Sequence, residues 1–135
     1  MGASAKILVV DDDPDMREAL QMILESAGYT VVMAEDGEEC LVRLKEEQPD
    51  LLILDLLMPK MDGFEVCKAL KDPRYSKYAG VPIVILSSVQ EGVSQRRYEL
   101  ETGVHLDVDD YVEKPIEGSV LLERVGKIIK RTSND

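Results

Sequence analysis

The chain has 135 residues, 44% of them hydrophobic and 32% charged, with 27 acidic against 16 basic side chains and a formal net charge of -11. That length suits one domain with a sizeable core over residues 1–135, and no Pro/Gly/Ser-rich linker or internal repeat points to a second. The acidic balance excludes a direct nucleic-acid surface, which needs clustered Lys and Arg against phosphate, and no apolar run is long enough to span a bilayer.

In chain order, Lys6–Val10 reads as a strand that runs into Asp11, Asp12 and Asp13. Because that apolar stretch stops at three aspartates, it is not a secretory signal, and Lys6 stands where a myristoylation motif would need Ser or Thr, so the expected location is the cytoplasm. Leu20, Ile23, Leu24 and Ala27 then follow at helical spacing, and after the turn at Gly28 comes a second strand, Tyr29–Met33. Leu41 and Leu44 mark a second helix. Leu51–Leu54 is a third strand ending at Asp55, Pro59 and Gly63 punctuate the loop after it, and Phe64, Val66, Cys67 and Leu70 mark a third helix. Val81–Leu86 is a fourth strand running into Ser87 and Ser88. Tyr111–Lys114 is a fifth, more polar and so expected at an edge, and Glu117–Arg131 is an amphipathic final helix with Val120, Leu121, Leu122, Val125, Ile128 and Ile129 on its apolar side. Strands apolar on both faces, alternating with helices, predict an α/β fold of five βα units: a doubly wound parallel sheet covered by helices on both sides. Cys40 and Cys67 fall inside predicted helices and are read as reduced core or boundary thiols rather than a disulfide or metal pair.

If the strands lie parallel, their carboxyl ends bring together Asp11, Asp12, Asp55, Ser87 and Lys114. Taken singly, each has a bland reading: Asp55 as a strand-ending carboxylate, Ser87 as a polar strand end, Lys114 as a surface lysine. Asp13 and Asp15 are read that way outright, as caps of the first helix with Pro14 in its first turn. Asp11 and Asp12 exceed what capping needs, and adjacent carboxylates beside Asp55 are costly to bury without a compensating cation or proton. Magnesium is the expected ion, since it prefers oxygen ligands and keeps positions open for phosphate. A calcium EF-hand fails, because Met16 and Met22 stand where Gly and Glu are required, and a haloacid-type phosphatase fails at Asp15 and for want of a cap domain. A carboxylate beside magnesium can attack a phosphoryl group, so Asp55 is expected to form an aspartyl phosphate with Ser87 and Lys114 each meeting a phosphoryl oxygen. Lys114 precedes Pro115, and an X-Pro bond in the cis form would aim that side chain back toward the sheet.

Together, Val9-Val10-Asp11-Asp12, Ile53-Leu54-Asp55 with Pro59, Asp62 and Gly63, Ile85-Leu86-Ser87-Ser88, and Tyr111 through Lys114-Pro115 resemble the receiver domain of two-component response regulators, over about residues 5–131. The resemblance implies a flavodoxin-like (βα)5 sheet in the order 2-1-3-4-5. It further implies Asp55 as phosphoacceptor for a phosphohistidine on a sensor histidine kinase or phosphotransfer protein. Magnesium would be held by Asp12, Asp55 and the Leu57 carbonyl, with Asp11 bound directly or through water. Ser87 would be the switch hydroxyl, Lys114 the phosphate-pairing cation, and Tyr111 the aromatic that turns inward. Such a chain is a signalling switch rather than an enzyme, with limited autophosphorylation and autodephosphorylation. The family's output face is the fourth helix, fifth strand and fifth helix. Here the final helix carries Arg124, Lys127, Lys130 and Arg131 against Glu117 and Glu123, a net +2 by 4 minus 2, which suits either a partner surface or a solvated face.

The chain departs from the family pattern between Gly103 and Tyr111, where seven residues replace about three. His105 in that loop is read as exposed and without a chemical role. Leu57 and Val89, two residues after Asp55 and Ser87, are both apolar, which predicts slow loss of phosphate; an unchanged phosphoryl lifetime in Val89→Glu would refute this. An electron carrier of flavodoxin type is disfavoured by the aspartates that open the first loop, which would repel a flavin phosphate. A degenerate receiver that binds partners without accepting phosphate stays open. So do the downstream protein or covalently linked output domain, a stand-alone chain against a piece of a longer regulator, and phosphorylation-linked dimerisation.

Overall fold

The computed structural model describes residues 5–56, 58, 61–78, 80–88 and 108–133. Strands β1 (Lys6–Val10), β2 (Thr30–Ala34), β3 (Leu51–Asp55), β4 (Ile83–Ser87) and β5 (Asp110–Glu113) form one sheet, ordered β2-β1-β3-β4-β5 with every neighbouring pair parallel. The helices among the described residues are α1 (Pro14–Ser26), α2 (Gly37–Glu47), α3 (Gly63–Ala69) and the final helix α4 (Gly118–Ser133), and a 3-10 helix, Pro73–Tyr78, lies between α3 and β4. The expected order and the edge position of β5 are both found, with element ends moved by one or two residues.

Side chains on a strand alternate between faces, and here both faces are buried. Leu8, Val10, Leu52, Leu54 and Ile85 pack with Cys40, Leu44, Val66 and Cys67 of α2 and α3. Ile7, Val9, Leu51, Ile53, Val84 and Leu86 pack with Leu20 and Leu24 of α1 and Leu121, Val125 and Ile128 of α4. The sheet is therefore doubly wound. Each fully buried Leu or Ile contributes roughly 1.5–3 kcal/mol, so the two layers hold the central strands firmly. That firmness is what fixes the loops at their carboxyl ends.

Helix ends are set by local chemistry. Asp13 caps α1, its side chain accepting from the Asp15 N–H at 2.9 Å with Pro14 in the first turn. Asp62 and Glu65 make a reciprocal capping box on α3. Cys40 and Cys67 are buried and not joined in a disulfide. The 3-10 helix was not anticipated from hydrophobic spacing. It is started by Asp72, which accepts from the Arg74 N–H at 2.9 Å, and Lys45 Nζ of α2 sits 4.8 Å from the centre of its Tyr75 ring.

No helix among the described residues is long and apolar enough to cross a membrane. Leu57, Pro59, Val89, Gly103 and His105 lie outside the described residues, as does the whole stretch 89–107 in which the helix of the fourth βα unit is expected.

Candidate functional site

The site forms at the carboxyl ends of β1, β3, β4 and β5, where a parallel sheet brings four distant loops to one edge. Asp11 follows β1, Asp55 closes β3, Ser87 closes β4, and Lys114 follows β5. Register sets their heights: Asp55 stands beside Leu86, and Ser87 beside Glu113. The Lys114 N–H donates to the Ser87 carbonyl at 2.8 Å, so the strand ends stay linked one residue past the sheet.

Carboxylate oxygens of Asp11, Asp12 and Asp55 all lie within 4.8 Å of one another. Asp55 and Asp11 are 2% and 1% exposed, and Asp12 is exposed. Lys114 answers part of this charge, its Nζ donating to Asp55 Oδ1 at 2.9 Å and lying 3.9 Å from Asp11 Oδ2. Lys114-Pro115 is a cis peptide bond, as the sequence allowed.

Asp11 is held by a further contact, its Oδ1 accepting from the Asp13 N–H at 2.9 Å. Its Oδ2 is buried without a hydrogen-bond partner among the described residues. Burial raises the Asp11 pKa, with the Asp13 N–H and the Lys114 ammonium pulling it back down. An orphaned carboxylate oxygen beside two other carboxylates matches the donor set of a hard divalent cation. The residues present therefore fit magnesium. Leu57, whose carbonyl was expected among the ligands, is outside the described residues.

Ser87 is buried, while Tyr111 is exposed on β5 beside Ile85. Tyr111 lines a groove of about 650 Å³ together with Ser87, Ser88, Lys114, Pro115 and Arg124.

Sequence reasoning missed Arg17 and gave Gly63 only a place in the loop and in the motif. Gly63 donates its N–H to the Leu56 carbonyl at 2.8 Å, and a Cβ there would fall 2.6 Å from the Asp55 carbonyl oxygen and 2.9 Å from Leu56 Cα. Its role is close approach to the strand end that carries Asp55, not only punctuation. Arg17 on α1 donates through Nη1 to the Asp11 carbonyl at 2.7 Å. Nothing in its helical spacing signals that contact.

Three of the basic side chains on α4 are paired with acids while staying at least partly exposed. Arg124 Nη1 donates to Asp110 Oδ1 at 2.7 Å, Arg131 Nη2 donates to Asp109 Oδ1 at 3.0 Å, and Lys127 lies 3.7 Å from Glu123. Its two arginines fasten the helix to the start of β5.

The profile of the response regulator receiver domain matches residues 7–126. Response regulator MprA of Mycobacterium ulcerans (strain Agy99) is 41% identical over 129 residues, 96% of this chain and 52% of that protein. The alkaline phosphatase synthesis transcriptional regulatory protein PhoP of Bacillus subtilis (strain 168) is 39% identical over 127 residues, 94% of this chain and 49% of that protein. The chain thus spans about half the length of the curated relatives it matches. Among solved structures, chemotaxis response regulator CheY4 of Vibrio cholerae superposes with a TM-score of 0.78 at 30% identity, covering 93% of this chain and 98% of that one. Strand order, the acidic edge and these matches agree: the chain belongs to the response regulator receiver domain family of two-component systems.

Proposed function

We propose that this chain is a phosphoacceptor switch in which Asp55 takes a phosphoryl group from a phosphohistidine on a sensor histidine kinase or phosphotransfer protein. The observation that carries this reading is the convergence of Asp11, Asp12 and Asp55 oxygens within 4.8 Å, with the Lys114 ammonium 2.9 Å from Asp55. An Asp55 oxygen attacks phosphorus, the P–N bond to the donor imidazole breaks, and its electron pair stays with the imidazole. Lys114, already at the Asp55 carboxylate, exchanges that contact for a phosphoryl oxygen, so the charge stays paired throughout. Ser87 donates its hydroxyl to a second phosphoryl oxygen. Magnesium would be held by Asp11, Asp12, Asp55 and the Leu57 carbonyl, and when bound it supplies neutralisation of the phosphoryl charge.

Movement of Ser87 toward the phosphoryl group opens space that the Tyr111 ring can fill from the adjoining groove. That links the chemistry to the β5 and α4 surface, where a downstream protein, a linked output domain or a second copy would sense it. In this reading residues 5–131 act as one receiver unit, a cytoplasmic signalling protein rather than an enzyme.

The test is intact mass after incubation with magnesium and acetyl phosphate, beside Asp55→Asn and a magnesium-free control. One phosphoryl group added only to the wild-type chain with magnesium, and removed by hydroxylamine, supports the switch. No addition, together with no magnesium binding, would leave a phosphorylation-independent binding module.

A further inference from the structure

We infer that Arg17 is a positioning residue for the metal-binding carboxylates: by gripping the carbonyl of Asp11 it orients the Asp11–Asp12 peptide and, through it, the Asp12 carboxylate. The inference rests on the magnesium reading above and deepens it.

Four contacts define the turn between β1 and α1. The Asp11 N–H donates to the Ala34 carbonyl at 3.2 Å, which anchors the turn to β2. The Asp13 N–H donates back to Asp11 Oδ1 at 2.9 Å, and the Arg17 N–H donates to the Asp13 carbonyl at 3.0 Å, starting the helix. Those three leave the plane between Asp11 and Asp12 to be set, and Arg17 Nη1 sets it by donating to the Asp11 oxygen at 2.7 Å. A peptide group is rigid, so holding its oxygen also holds the N and Cα of the next residue. That residue is Asp12, which is exposed and takes the direction of its side chain from the backbone behind it. Asp11, in contrast, is buried and pinned through its own side chain.

Geometry and charge act in opposite directions here, which makes the inference testable. As a positioning group, Arg17 favours a cation at the three carboxylates. As a bare positive charge in the same turn, it would disfavour one by Coulomb repulsion. A group that orients a ligand typically changes metal affinity by about 10- to 100-fold when removed. The bond to the carbonyl is short and half-buried, so the orienting effect is the one expected to win.

The experiment is calorimetric titration of Mg²⁺ into the whole chain as wild type, Arg17→Met and Arg17→Lys, with thermal melts in EDTA alongside. Arg17→Met keeps the length and helix propensity but removes the donor, and its Kd for Mg²⁺ should rise about 10-fold. Arg17→Lys keeps a donor and the charge, and should recover affinity to within about threefold of wild type. If Arg17→Met does not fold, Arg17→Gln, too short to reach the Asp11 carbonyl, carries the same expectation. An unchanged or lower Kd in Arg17→Met, whatever happens to its melting temperature, overturns the inference, because a merely structural arginine shifts only the melt. Absence of Mg²⁺ binding by the wild type overturns the magnesium reading itself and the inference with it.

Discussion

Lys114 Nζ lies 2.9 Å from Asp55 Oδ1, although the two residues are 59 positions apart in the chain. The pair is buried on the aspartate side and about a quarter exposed on the lysine side, so it sits between an enclosed ion pair and a surface one. Replacing Lys114 with Met leaves Asp55 beside two other carboxylates. Without magnesium the variant should lose about 2 kcal/mol, below the 3–5 kcal/mol of a fully enclosed pair. Urea unfolding in EDTA measures this, and a neutral result would show that the pair contributes no stability.

Neutralising Asp55 should act the other way. Asp55→Asn removes one of three converging carboxylates and keeps an oxygen for Lys114, so in EDTA it should be more stable than wild type by about 1 kcal/mol. Adding magnesium at about 100 times its Kd should raise wild-type stability by about 2.7 kcal/mol and Asp55→Asn by much less. Paired thermal melts with and without the ion decide this, and equal gains would remove Asp55 from the ligand set.

Gly63 should not tolerate a side chain. A Cβ would fall 2.6 Å from the Asp55 carbonyl oxygen and 2.9 Å from Leu56 Cα, both backbone atoms that cannot swing aside. Gly63→Ala is expected to cost about 1–3 kcal/mol by overpacking and to slow phosphorylation by acetyl phosphate as the Asp55 strand end shifts. A variant with wild-type stability and rate would mean the loop has room to move.

Cys40 predicts an alkaline limb. Burial first, then the neighbouring Cys67 and Asp36, push its thiol up to about 12 from an ordinary 9.0. The unfolded chain ionises this thiol first, so the stability it contributes is present below pH 9.0 and is lost as pH rises from there toward 12. Urea midpoints followed upward from pH 8 should fall less steeply for Cys40→Ala than for wild type. In the folded chain at pH 8, Cys40 should also resist iodoacetamide until denaturant is added.

At the opposite end of β5, Asp109 accepts from the Ile83 N–H at 2.8 Å and from Arg131 Nη2 at 3.0 Å. Asp109→Ala strands a half-buried N–H and should cost about 1–2 kcal/mol. Arg131→Ala removes only the exposed half of the arrangement and should cost about 0.5 kcal/mol or less. Equal losses in chemical denaturation would place the stabilisation in the ion pair instead.

Much of this was legible in the chain itself. Strands apolar on both faces specify a sheet covered on both sides, because each one must bury both rows of side chains. Asp11, Asp55 and Ser87 could be found because each breaks an apolar run at its carboxyl end, as Asp55 does after Leu51–Leu54 and Ser87 does after Ile83–Leu86, whereas Tyr111 and Leu57 came only from the family resemblance. The helix cap at Asp13 and the placement of the two cysteines inside helices are equally local properties.

What the chain could not disclose depends on approach between segments far apart in sequence. Gly63 reads as a loop residue until the Asp55 carbonyl is seen against it, and Arg17 reads as one more polar position of an amphipathic helix until it reaches the turn behind it. The arginines of α4 find their acids, Asp109 and Asp110, outside the helix, just before and at the start of the strand at the sheet edge. Residue periodicity records which face a side chain takes, and short-range spacing records how an element begins. Distances such as the 2.9 Å between Lys114 and Asp55 arise only when strand order and register place separate loops together, so the tertiary structure alone decided them.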